Sequence, residues 1–290
     1  MRGVGLTKAY GSVTALEDVT LNFYPGSVHA IVGENGAGKT TLAGVLGGFI
    51  KPTSGRVVTG EPDADGRRRQ VNMVHQHFTL VGDFTVAENF ALAAIKPSLR
   101  TLDLGAAAEP ALQLAKQLGW SLDPSLRVGG LQVGVRQRIE VLKALVGDPS
   151  VLILDEPTAV LSQPEATDLL ALLSALRSRG VCIVLIAHKL REVFSIADSI
   201  SVLRRGRLVA SLVAKETSEA EIGALMVGSD QARTAAASIP LANSGPGLEV
   251  SDLEVVADEG GAFGDYLEGR TARPRPVAGG AGTRPRCFRA

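Results

Sequence analysis

Eight residues, Gly33-Glu34-Asn35-Gly36-Ala37-Gly38-Lys39-Thr40, constrain this chain more than any other stretch of it. They fit the spacing G-x-x-x-x-G-K-[ST], directly after the apolar run Val28 to Val32 and before the helical run Thr40 to Leu46. A strand, a glycine-rich turn and a helix in that order make a βα unit, and such units assemble into parallel sheets. The glycines let the backbone N–H groups of Gly33, Glu34, Asn35, Gly36, Ala37 and Gly38 converge on phosphate oxygens. The helix N-terminus at Thr40 and Thr41 adds a dipole that favours negative charge. Lys39 is placed to reach β- and γ-phosphates, and the Thr40 hydroxyl to ligate Mg²⁺.

The rest of the chain agrees with an α/β class built on a largely parallel sheet. Val151 to Leu154 and Val181 to Ile186 are further apolar strand runs, each closed by polar residues and then helical sequence. In open α/β sheets ligands gather at the carboxyl ends of strands, so the residues just after these runs are the first candidates for chemistry. From about 84 to 146 the pattern turns helix-rich. Helices are expected over Thr85 to Ala94, over Ala106 to Leu118 with an interruption at Pro110, and over Arg136 to Val146. Ser199 to Leu203, the turn Arg204-Arg205-Gly206 and Leu208 to Leu212 predict a hairpin.

Thirty basic side chains balance thirty acidic ones, so no global field draws this chain onto nucleic acid. No apolar run nears the ~18 residues that span a bilayer, and the two cysteines, Cys182 and Cys287, form no disulfide framework. These features predict a cytosolic protein. Composition shifts after Val227: residues 229–247 are rich in Ala, Ser, Pro and Gly and predict a linker. Residues 248–263 resume a strand-like alternation, and 264–290 collect arginines among Pro, Gly and Ala, which predicts a disordered basic tail.

The second cluster is Val151-Leu152-Ile153-Leu154-Asp155-Glu156. Two acids ending an apolar strand are hard to bury without a partner. A Mg²⁺·ATP supplies one: Asp155 suits metal-bound water, and Glu156 suits orienting the attacking water. His188 closes the run to Ile186 in the same way and suits contact with the γ-phosphate and with Glu156. Gln76, after a short apolar run, suits Mg²⁺ or the attacking water. Its neighbours His75 and His77 have no Cys or acid at ligand spacing. Tyr10 suits stacking on adenine.

In this order the residues resemble the ATP-binding-cassette (ABC) ATPases over roughly Val4 to Val227. Tyr10 corresponds to the aromatic loop, Gly33 to Thr41 to Walker A, Gln76 to the Q-loop, Asp155-Glu156 to Walker B and His188 to the switch histidine. The resemblance implies a RecA-like P-loop core with an antiparallel β-subdomain and a helical subdomain, in a nucleotide-binding domain of residues 1–228. One run departs from the family: Leu131-Gln132-Val133-Gly134-Val135 stands where Leu-Ser-Gly-Gly-Gln is usual. Gln132 and Val133 replace the Ser hydroxyl and a Gly that meet ATP held by a second domain, and Ser162 stands where an Asp is usual.

The set is similar to the N-terminal half of tandem ATPase subunits of simple-sugar and nucleoside importers. Val74-His75-Gln76-His77-Phe78-Thr79-Leu80, Thr85-Val86-Ala87-Glu88-Asn89 and the run from Arg136 to Lys143 carry that likeness. It implies ATP and Mg²⁺ as ligands and hydrolysis coupled to import. It also implies transmembrane permease subunits as partners, with Leu80 and Val81 as candidate contacts, and a dimeric or tandem nucleotide-binding partner. An extracytoplasmic substrate-binding protein is an indirect partner, nucleic acid is none, and the location is peripheral on the cytoplasmic face. Residues 248–263 then correspond to the start of a truncated second domain, with the sequence after about Ala262 either out-of-frame coding or a basic tail. The alternative is a half that binds ATP but needs another domain's signature for turnover.

Overall fold

The computed structural model describes residues 1–59, 70–94 and 104–228, all within the unit Met1–Ser238. The expected linker, second-domain start and basic tail lie outside the described residues.

A six-stranded sheet forms the centre. Its strands are β3 (Val28–Val32), β5 (Val71–Val74), β6 (Val151–Asp155), β7 (Cys182–Ile186), β8 (Ser199–Arg204) and β9 (Arg207–Val213), in spatial order β5-β6-β7-β3-β8-β9. The first five run parallel, and β9 closes the edge antiparallel to β8 as the expected hairpin. Strands β3, β6 and β7 are buried along their whole length, which is why they read as continuous apolar runs rather than alternating ones.

Their side chains still sort by pleat. Val28, Ala30, Val32, Leu152, Leu154, Ile183 and Leu185 face one core. That core also takes α4 (Val133–Leu145), α5 (Gln163–Ser178), α6 (Leu190–Ile196) and α7 (Glu219–Val227). Ile31, Val151, Ile153, Cys182, Val184 and Ile186 face the other. There they meet α1 (Lys39–Leu46) and an antiparallel three-stranded sheet of β1 (Arg2–Tyr10), β2 (Val13–Asn22) and β4 (Ser54–Val58), in order β2-β1-β4.

A third core joins α2 (Val86–Ala94), α3 (Leu104–Gln117) and α4 around Phe90, Ala111, Ile139 and Leu142. Two expectations need correction here. Pro110 lies inside α3 and does not interrupt it, because Ala108, Ala111 and Ala115 keep one face buried on both sides of the ring. Helix α4 begins at Val133, three residues before Arg136, because the Arg136 N–H already reaches the Gln132 carbonyl (3.1 Å) and the Arg136 guanidinium holds the Leu131 carbonyl (2.8 Å).

Candidate functional site

Parallel register brings the ends of four strands to one edge. Leu154 pairs with Val74 and Leu185, and Ile31 pairs with Ile186, so the residues that follow β3, β5, β6 and β7 emerge side by side. They line an open cleft of about 670 Å³, bounded by Ala15, Asn35, Gly36, Gly38, Lys39, Thr40, Thr41, Gln76, Glu156 and His188. A water-sized cavity of about 10 Å³ between α4 and α5 is far too small for a nucleotide.

The loop before α1 depends on glycine at two close approaches. A Cβ on Gly33 would stand 2.2 Å from the Leu203 carbonyl oxygen, and one on Gly38 would stand 2.5 Å from that of Ala15. Gly38 also adopts φ of 100°, open to glycine and strained for other residues. The Lys39 ammonium is buried and folds back onto the loop, donating to the carbonyls of Gly33 (2.8 Å) and Glu34 (2.9 Å). Burial pulls its pKa below the ordinary value, opposed by the carboxylates of Glu156 and Asp155.

Asp155 ends β6 at 1% exposure. Burial raises its pKa, and the Glu156 charge adds to that rise. The Thr40 hydroxyl, Lys39 and His75 oppose it. Neither carboxylate oxygen has a hydrogen-bond partner of normal geometry among the described residues. A buried carboxylate with both oxygens orphaned, beside a lysine and a threonine hydroxyl, is a donor set that fits a hard divalent cation or its bound water.

Glu156 occupies left-handed backbone space, φ 51°, which costs a non-glycine residue on the order of 1 kcal/mol. The Glu156 N–H donates to the Ile186 carbonyl (3.0 Å), and its own carbonyl accepts from Ala159 (3.2 Å). This turn aims the carboxylate into the cleft, where His188 Nε2 hydrogen-bonds Oε1 and Gln76 Nε2 donates to Oε2 over 3.4 Å. Three residues from three strand ends therefore meet at one carboxylate.

The other expected site residues lie apart. Tyr10 ends β1 half-exposed beneath the Lys8 ammonium, 4.9 Å from its ring centre, and does not line the cleft. Leu131 is half-buried, Gln132 and Val133 are exposed at the start of α4, and Gly134 and Val135 turn inward. Gly134 sits under the Glu165 carboxylate, so close that a Cβ there would come within 1.7 Å of Oε1. His75 packs its ring edge against Phe49, with centroids 4.8 Å apart. Leu80 packs against the helical core while Val81 is exposed.

Sequence reasoning missed four participants. Ala15 comes from β2, far from any motif. Thr158 donates to the buried Glu192 (2.5 Å), tying the turn after Asp155-Glu156 to the helix after His188. Glu140 and Asn89 anchor the loop carrying Gln76; the available signal was a carboxylate directly beside the apolar stripe of α4.

Residues 16–159 match the family described as ABC transporter. The nucleoside import ATP-binding protein NupA of Lactococcus lactis subsp. cremoris is 39% identical over 231 residues, 78% of this chain and 46% of that protein. The ribose import ATP-binding protein RbsA of Chelativorans sp. is 41% identical over 231 residues, 78% of this chain and 45% of that protein. The chain thus spans about half the length of these relatives. Among solved structures, the dimeric bacterial ABC transporter cassette MJ0796 superposes with a TM-score of 0.64 at 25% identity, over 73% of this chain and 98% of that one. An ATP-binding subunit of an ABC transporter gives 0.66 over 78% and 99% at 24% identity, a likeness of fold.

Proposed function

Because the chain belongs to the ABC transporter ATP-binding family, we propose that it binds ATP with Mg²⁺ in this cleft and hydrolyses it to energise a membrane importer of nucleosides or simple sugars. One observation carries the reading: the phosphate-type loop, the orphaned Asp155 carboxylate and the Gln76–Glu156–His188 cluster share a single sheet edge.

Backbone N–H groups from Gly33 to Gly38 cradle the phosphates, and Lys39 exchanges its two carbonyl contacts for β- and γ-phosphate oxygens. Thr40, Asp155 and Gln76 hold Mg²⁺ or its bound water; the chemistry bound Mg²⁺ supplies is neutralisation of the charge that develops on the phosphates. Glu156 accepts a hydrogen bond from the attacking water and aligns its oxygen with the γ-phosphorus. His188 and Gln76 fix the Glu156 carboxylate from either side. Little covalent chemistry is asked of the protein, and positioning with charge compensation does most of the catalysis.

Adenine stacking by Tyr10 requires the β1–β2 turn to approach the nucleotide. On this reading, which the import ATP-binding names of the relatives support, transport runs through separate permease subunits. On the same reading the chain acts peripherally, at the cytoplasmic face, with a second nucleotide-binding domain in dimeric or tandem arrangement and a substrate-binding protein outside the membrane. A second reading, a half that binds ATP and waits for another domain's signature, draws on Gln132 and Val133 at the start of α4.

The test is the Mg²⁺-ATPase rate of the purified chain against its own concentration, with Lys39→Ala as the blank. A rate rising faster than linearly and absent in the blank supports a working site between two copies. ATP binding without Lys39-dependent turnover supports the waiting half, and no ATP binding at all overturns both.

A further inference from the structure

The loop that presents Gln76 is anchored to the helical layer by side chains that never reach the cleft. Glu140 lies on α4 at 4% exposure. It accepts hydrogen bonds from the Thr79 N–H and from the Thr79 hydroxyl, 2.9 Å to Oε1 and 3.1 Å to Oε2. Lys143, one turn further along α4, closes the triangle at 3.5 Å from Glu140 Oε2 and 3.0 Å from Thr79 Oγ1. Two residues beyond Thr79, the buried Asn89 of α2 accepts from the Val81 N–H (2.9 Å) and donates to the Val81 carbonyl (3.1 Å).

Stability alone does not call for a carboxylate at position 140. Its neighbours Ile139, Val141 and Leu142 are fully buried, and an apolar residue there would avoid the desolvation that a buried ion incurs. What the carboxylate adds is direction: it takes up two donors of one loop residue and fixes that residue to α4. Thr79 lies three residues from Gln76, whose amide reaches Glu156 at 3.4 Å, near the outer limit of a hydrogen bond. A contact that long is sensitive to small shifts of the loop.

We propose that Glu140 is a positioning residue for ATP hydrolysis: acting through Thr79, it sets the reach of Gln76 to Glu156 and makes α4 and the catalytic carboxylate move together. Its kinetic consequence rests on the ATPase reading above; the anchor itself does not. Motion of α4, whose first residues are the signature-like run, is then transmitted to the Glu156 carboxylate through Glu140, Thr79 and Gln76 without passing through the phosphate loop.

The experiment compares the unaltered chain with Glu140→Ala, Glu140→Gln and Thr79→Val by amide hydrogen exchange and by steady-state kinetics. In Glu140→Ala the Thr79 amide and the segment 75–78 exchange at least about fivefold faster, with β6 and β7 unchanged. Glu140→Gln keeps an acceptor for the Thr79 N–H and restores slow exchange. Turnover at saturating MgATP falls roughly tenfold or more in Glu140→Ala while KM stays within about twofold, since the phosphate loop is untouched. Thr79→Val keeps the backbone bond on an exposed residue and gives a smaller loss of turnover; it stands in if Glu140→Ala fails to fold. Unchanged exchange at residues 75–79 in Glu140→Ala overturns the proposal, as does a proportional loss of turnover and folded fraction. If the unaltered chain binds ATP but shows no Lys39-dependent hydrolysis, it is the waiting half, and exchange alone decides the anchor: loosening supports it, and no change overturns it.

Discussion

Single residues show how differently the same sequence signal is used. Of the three loop glycines the motif fixes two, and space agrees: Gly33 and Gly38 face carbonyl oxygens at 2.2 and 2.5 Å, while a Cβ on Gly36, at an unspecified position of the motif, meets nothing within 4 Å. Gly36→Ala, with φ at 79°, should cost about 1 kcal/mol of backbone strain and leave ATP affinity nearly intact. Gly38→Ala should displace β2 or the loop and lose ATP binding; thermal unfolding and titration with a fluorescent ATP analogue separate the two. Asp155, Glu156, Gln76 and His188 were legible because acids, amides and imidazoles at the ends of apolar strands have no structural excuse. His29 was not legible, since it sits mid-strand among Val28, Ala30 and Ile31 and looks like core. It is buried between the hydroxyls of Ser199 (2.9 Å) and Ser201 (2.8 Å), and burial lowers its pKa from 6.5 to about 4. The unfolded chain therefore takes up a proton at this position near pH 6.5, and the native chain only near 4. The stability this neutral imidazole contributes is complete above 6.5 and falls as pH drops through that window, by about 2 kcal/mol near pH 5. Urea unfolding at pH 7 and near pH 5 checks this. His29→Gln should be less stable at pH 7 yet lose less on acidification, and an equal loss in both proteins would remove His29 as the cause.

Among the elements, sequence periodicity located strands and helices well where one face is plainly apolar, and poorly where tertiary contacts set the boundary. The central strands were visible as unbroken apolar runs because both of their faces are covered. Strands β1 and β2 carry glycine and charge along half-exposed faces, and three register shifts between them blur the alternation that would have marked them. The early start of α4 rests on the Arg136 guanidinium clasping the Leu131 carbonyl, a contact no propensity encodes. Helix α5 is the opposite case: Ser162 and Glu165 form a reciprocal capping box, readable as S-x-x-E, with the Ser162 N–H and hydroxyl both donating to Glu165 (3.0 and 2.7 Å). Ser162→Ala should destabilise the fold by about 1 kcal/mol, read as a lowered urea midpoint at unchanged slope. The same Glu165 covers Gly134, so the cap of one helix also shapes the entrance of another.

At the level of the whole molecule, the cleft is a consequence of topology, and its completion is a question of assembly. Parallel order β5-β6-β7-β3 gathers Gln76, Asp155, Glu156, His188 and the phosphate loop from residues more than a hundred positions apart, with no further adjustment of the chain. The start of α4 presents different chemistry. There, Gln132 and Val133 stand exposed where the family uses a hydroxyl and a glycine to meet a second domain's nucleotide, and the Glu165 carboxylate sits over Gly134. A γ-phosphate arriving at that helix end would find a bulky side chain and a negative charge in place of hydroxyl and amide donors. Two copies of this chain should therefore lack the attraction through ATP that closes a head-to-tail pair. In a Glu156→Gln background, which removes turnover while keeping the phosphate loop, light scattering with MgATP should report monomers. Adding Gln132→Ser, Val133→Gly and Val135→Gln should produce ATP-dependent dimers that disperse again with Lys39→Ala. Dimers already present without those three changes would mean that Gln132 and Val133 can meet a nucleotide after all. The waiting-half reading would then give way to a working homodimer.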